Sequence, residues 1–197
     1  PLPPSPSRLH KFQKAAVCAD APACAEIGKV ILERNGSAVD AAIAALFCNG
    51  IVNMQSMGLG GGFLMTIYDR KNNEAFALDA REMAPSLATP NMFKNENESK
   101  YSGKSIGVPG ELRGYWAAHQ RFGKLPWKEL VQPSVDLCER GYNMSVAQYD
   151  VLDRIRNDSN LRSWFYDENG RAKRPGSLIK PQKLCDTLKI IANSDGD

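Results

Sequence analysis

The chain has 197 residues, 43% of them apolar, which suffices for one domain with a real core or for a large part of a bigger one. Its 25 basic and 22 acidic residues leave a net charge of +3 in short mixed groups, so no stripe suited to a phosphate backbone stands out and nucleic acid is not an expected partner. No apolar run approaches the roughly 20 residues of a membrane-spanning helix, the five cysteines contain no C-x-x-C pair, and two histidines make a poor zinc cluster.

In chain order, the Pro/Ser-rich residues 1–11 read as a disordered leader or stalk, with order beginning near Phe12. Asp20 as an N-cap and Pro22 in the first turn predict a helix that stops at Gly36. Ser37 to Asp40 approximates a capping box and opens a second, alanine-rich helix whose nearly uncharged surface calls for burial on most sides. The glycine bend in "NMQSMGLGGGFLMTIYD", residues 53–69, follows it. It is not a nucleotide loop: the glycine spacing fails both phosphate-binding motifs, and the order helix, loop, strand is the reverse of what they need. Three consecutive glycines instead suit positive φ and a close approach of backbones. "FLMTIYD" and "AFALDAR", joined by the turn "RKNNE", predict an antiparallel hairpin.

Further on, "KSIGVPG" predicts a short strand and "ELRGYWAAHQRFG" a helix closed by Gly123. "PWKELVQPSVDLCERG" predicts two helical pieces broken at Pro133, and Ser145 to Gln148 a capping box opening another helix. "DENG" is a turn, and residues 180–192 carry a final helical pattern. The layout is α+β with about three strands, a sheet small enough that further strands are expected outside this sequence.

Candidate chemistry is sparse. The hydrolase elbow G-x-S-x-G is absent, and His119 sits at helical spacing with Leu112, Tyr115, Trp116 and Phe122, as a core-edge histidine does. Arg81 in "LDAREMAP" leaves the sheet at a strand end, where its planar fork suits capture of a carboxylate. On charge pattern alone, an ion pair with Asp79 or Glu82 is the simpler reading. Of the sequons at Asn35, Asn97, Asn143 and Asn157, Asn97 lies in the polar tract "KNENESK", read as an exposed loop, whereas Asn35 sits where a glycan would crowd two helices.

Taken together, "GSAVDAAIAALFCNGIVNMQSMGLGGGFLMTIYD", "LDAREMAP", "VPGELRGYWAAHQRFGKLPW" and "LVQPSVDLCERGY" resemble the N-terminal part of the large subunit of the γ-glutamyltransferase (glutathione hydrolase) family, over residues 15–192. The resemblance implies residues 12–197 as part of an αββα sandwich of the N-terminal-nucleophile hydrolase type, incomplete in this chain. It implies no cofactor or metal, a small subunit cut from the same precursor, and a threonine nucleophile in that subunit that carries the γ-glutamyl group of glutathione to water or to an amino-acid or peptide acceptor. No catalytic residue is then expected in this chain, and Arg81 falls on the arginine that grips the substrate α-carboxylate. Cys24 and Cys48 match a disulfide pair, and the Asn97 region a glycan-bearing loop, of animal members. A second cysteine pair of vertebrate members has no counterpart near "SWFYDENG". The implied setting is the cell surface, with a single-pass anchor upstream, or secretion. The alternative is a catalytically inactive secreted homologue that acts as a binding or decoy protein.

Overall fold

The computed structural model describes residues 10–155 and 158–194, so most of the expected leader, and the Asn157 sequon, lie outside the described residues. Helix α1 (Pro22–Glu33) starts one residue later than Asp20 would cap it. Ala21 is the N-cap, without a side-chain bond, because Pro22 already fixes the first helical φ and has no N–H to satisfy. At its other end the left-handed residue is Asn35 (φ 66°), not Gly36. Asn35 N–H donates to Leu32 O and Gly36 N–H to Ile31 O, both at 3.0 Å, which is a Schellman closure. Gly36 is needed there for room, since a Cβ would stand 2.7 Å from the Ile31 side chain.

Helix α2 (Ala38–Val52) begins at the expected capping box: Asp40 N–H donates to Ser37 Oγ at 3.0 Å, and Ser37 N–H to Asp40 Oδ2 at 2.8 Å. That same Oδ2 also accepts from the backbone N–H groups of Lys124 and Leu125, at 2.9 and 3.2 Å. One buried carboxylate therefore caps a helix and pins a loop 84 residues away. Asp40→Asn keeps the shape and removes the charge that strengthens all three bonds, with an expected loss of about 2 kcal/mol read from the urea midpoint.

Strands β1 (Phe63–Asp69) and β2 (Glu74–Ala80) pair antiparallel from Phe63↔Ala80 to Asp69↔Glu74. The turn between them is closed by Asp69 Oδ1, which accepts from Lys71 N–H at 2.9 Å, and by Asn73 at φ 55°. "KNENESK" is not a loop: Asn95 caps a short helix, α3 (Glu96–Tyr101), with Asn97 exposed in its first turn. "KSIGVPG" forms no strand beyond a single bridge between Val108 and Met83.

Helix α4 (Glu111–Phe122) ends at Gly123 as expected. Helix α5 (Trp127–Arg140) runs unbroken through Pro133, because its face of Leu130, Val131, Ser134, Val135, Leu137 and Cys138 is fully buried. That burial outweighs the one backbone hydrogen bond the proline forfeits. Strand β3 (Tyr142–Asn143) pairs with β4 (Leu178–Ile179). Between them lie α6 (Val146–Tyr149) and α7 (Ser159–Phe165), and α8 (Gln182–Ala192) closes the chain.

Ser145 accepts from Gln148 N–H at 3.1 Å, but the return arm of the expected capping box is absent. Gln148 is buried, and its side chain instead takes the Tyr142 hydroxyl at 3.1 Å and reaches Gln55 at 3.3 Å.

The core centres on α2, whose residues Ile43, Ala44, Phe47, Cys48 and Ile51 are buried between α1, α4 and α5. Phe47 stands edge-on to Tyr115 and Trp127, with ring centroids 5.1 and 5.6 Å apart. Two disulfides staple the helices: Cys24–Cys48 joins α1 to α2, as the resemblance implied, and Cys138–Cys185 joins α5 to α8, which sequence reading did not pair. Cys18 is free and exposed.

Candidate active site

The end of β2 is gripped from two sides by glycines. A Cβ on Gly62 would stand 2.3 Å from Ala80 O and 2.8 Å from Arg81 Cα; one on Gly110 would stand 2.4 Å from Ala80 O and 2.7 Å from Arg81 O. Neither Gly60, Gly61 nor Gly62 takes a positive φ, so the glycine run serves the approach of the Ala80–Arg81 backbone and not a left-handed turn. Gly61 carbonyl accepts from the Gly110 and Glu111 N–H groups at 3.0 and 3.1 Å, tying the bend to the first turn of α4. Met83 and Val108 exchange backbone bonds at 3.1 and 2.8 Å just beyond. The stretch that carries Arg81 is thus held at its backbone from two separate stretches of chain, the glycine bend and residues 108–111.

Its side chain is free by comparison. The Arg81 side chain is 59% exposed and its guanidinium pairs with Glu82 Oε2 at 3.2 Å, while Asp79 Oδ1 accepts from the Arg81 backbone N–H at 3.0 Å. Of the two partners suggested by charge pattern, Glu82 holds the ion pair. Such an exposed pair contributes about 1 kcal/mol or less, so it does not commit the fork against another carboxylate.

Behind this corner lies a group sequence reading missed. Glu111, in the first turn of α4, is buried; its Oε1 accepts from the Tyr115 hydroxyl, and its Oε2 has no hydrogen-bond partner. Burial raises its carboxyl above the ordinary glutamate value, the Tyr115 hydrogen bond and the nearby Gly58 N–H oppose that, and Glu82 adds to it. Burial, followed by Glu111, likewise pushes the Tyr115 phenol far up. A glutamate at a helix start reads as solvated in a sequence; only the i,i+4 spacing to Tyr115 hinted at a pair.

The remaining candidates stand apart. His119 lies against Trp116 and Trp127, with Nε2 2.8 Å from Leu125 O, at the edge of the core. Cys24 and Cys48 are buried in their disulfide, and Asn97 is on the surface of α3.

The helices, hairpin and corner define an α+β fold of the N-terminal-nucleophile hydrolase type, of which this chain holds part. It superimposes on gamma-glutamyltranspeptidase from Pseudomonas nitroreducens complexed with L-DON with a TM-score of 0.84 at 36% identity, covering 95% of this chain and 57% of that one. Gamma-glutamyltranspeptidase from Helicobacter pylori gives 0.86 at 30% identity, covering 94% and 56%.

The sequence profile described as Gamma-glutamyltranspeptidase matches residues 24–197, and the chain belongs to that family. Among curated relatives, it is 42% identical over 98% of its length to Scoloptoxin SSD14 of Scolopendra dehaani, and 43% identical over 95% to Glutathione hydrolase 5 proenzyme of Homo sapiens. It spans 34% and 33% of those two proteins.

Proposed function

We propose that this chain forms the N-terminal part of the large subunit of a glutathione hydrolase. The enzyme transfers the γ-glutamyl group of glutathione or its conjugates to water or to amino-acid and peptide acceptors, through an ester on a threonine supplied by a small subunit of the same precursor. Arg81 orients the donor by its α-carboxylate. The observation that carries this reading is a guanidinium whose backbone is locked by Gly62 and Gly110 while its fork stays exposed and weakly paired. Fixed placement with a free charged end is what orientation of a substrate requires. Two disulfides support an oxidising, extracellular-facing setting, in which Asn97 is available for a glycan.

The test is Arg81→Lys in the full-length protein, assayed with a γ-glutamyl anilide. Lysine keeps the charge and loses the planar fork, so KM should rise and kcat/KM fall by the equivalent of roughly 1–3 kcal/mol. An unchanged KM removes Arg81 from the site.

A second reading, a secreted homologue that binds a partner without turnover, is favoured by one finding: a 42% identical relative carries the name of a toxin. It predicts no anilide release by the unmodified full-length protein.

A further inference from the structure

We propose that Glu111 is a positioning residue for the Arg81–Glu82 corner, acting through a carboxyl-to-carboxylate contact with Glu82 across the gap left open at Gly61. The kinetic consequences rest on the function proposed above; the contact itself does not.

A Cβ on Gly61 would stand 3.5 Å from Glu111 Oε2 and 3.5 Å from Glu82 Oε1, so these two oxygens flank the same small space. Each carboxyl uses its other oxygen elsewhere: Glu111 Oε1 takes the Tyr115 hydroxyl, and Glu82 Oε2 takes Arg81 Nη2 at 3.2 Å. Glu111 Oε2 is buried and accepts no full hydrogen bond, the nearby Gly58 N–H being the backbone donor that favours its ionised form. Left ionised and unpaired there it would be costly, whereas protonated it becomes a donor, and the nearest acceptor of suitable charge is Glu82. The Glu82 side chain is 31% exposed and already turns Oε1 toward the gap. A line of polar groups then runs from the buried Tyr115 through Glu111 and Glu82 to the exposed Arg81 fork.

The surroundings favour the protonated form. Among the described residues, the charged or titratable groups facing Glu111 are Tyr115 on its own helix, Glu82, and Arg81 behind Glu82. It shares a small cavity with Phe47, Ile51, Leu59, Leu184 and Leu188, from α2, the bend and α8, all apolar. Because folding raises this carboxyl, the stability it contributes is fully present below the ordinary value of 4.5 and is lost as pH rises through the raised value. Above that point two carboxylates oppose each other, and Glu82 swings away from the corner.

The experiment is the pH dependence of KM and kcat for a γ-glutamyl anilide in the full-length protein. The unmodified enzyme should show KM rising as Glu111 ionises. Glu111→Gln, whose amide donates to Glu82 at every pH and still accepts from Tyr115, should flatten that rise and change kcat less than twofold. Gly61→Ala, which fills the gap without altering either carboxyl and presses also on Gly58 O at 3.2 Å, should raise KM several-fold at all pH values. A KM profile in Glu111→Gln that matches the unmodified enzyme overturns the proposal.

If the full-length protein turns over no γ-glutamyl compound, the functional reading fails, and the contact is read from Tm against pH. Glu111→Gln and Glu82→Gln should each reduce that pH dependence, and the double variant no further. Additive reductions overturn the contact.

Discussion

Gly62→Ala and Gly110→Ala should each destabilise the protein by about 3 kcal/mol, while Gly60→Ala should change stability by less than about 0.5 kcal/mol. The three positions differ in what surrounds them, since none has a positive φ. At Gly62 and Gly110 an added methyl would stand 2.3 and 2.4 Å from the Ala80 carbonyl oxygen, and backbone cannot rotate out of the way as a side chain can. At Gly60 nothing lies within 4 Å. The strand end must move to admit either of the first two methyls, which carries Arg81 with it, so donor KM should rise alongside the loss of urea midpoint. Equal stability of all three variants would mean that the glycine run is a passive linker.

Removal of the disulfides should have the larger effect. Cys138–Cys185 closes a separation of 47 residues and Cys24–Cys48 one of 24, which on the chain-entropy account correspond to about 4 and about 3.5 kcal/mol. Paired alanine substitutions, compared by denaturant midpoint, should therefore rank the α5–α8 link above the α1–α2 link. The α5–α8 contact is also closed by the Trp127 indole N–H, which donates to Ile191 O at 3.0 Å, so losing the bridge should loosen the packing around Trp127 and shift its fluorescence. The opposite ranking would place the stabilising weight on the N-terminal helical hairpin.

Much of the fold is written in local signals. The Ser37–Asp40 box, Gly123 after α4, and the "RKNNE" turn between "FLMTIYD" and "AFALDAR" each specify an element through its neighbours in sequence, and each element is present. The departures occur where distant contacts decide. Pro133 reads as a break but is carried inside a helix by burial against α2 and α8. Gln148 reads as a capping residue, yet its side chain is drawn away by Tyr142 and Gln55. Cys138 and Cys185 could not be paired because their spacing carries no motif.

The site divides in the same way. Arg81 was visible as a guanidinium at a strand end, and charge pattern correctly offered Glu82 as its neighbour. The glycine bend was visible too, but what it approaches was not, since Gly62 and Ala80 meet only through the hairpin register. The burial of Glu111 was invisible, since a lone glutamate in a helical pattern carries no mark of it beyond the i,i+4 spacing to Tyr115.

The corner around Arg81 is stitched from residues 58–62, 80–83 and 108–111, and its fastening bonds, Gly110 and Glu111 to Gly61 and Met83 to Val108, all span long sequence separations. On a ribosome, the arginine emerges well before residue 111 and has no fixed place until that later stretch arrives. A nascent or prematurely ended polypeptide that lacks α4 would therefore possess the charge without the grip.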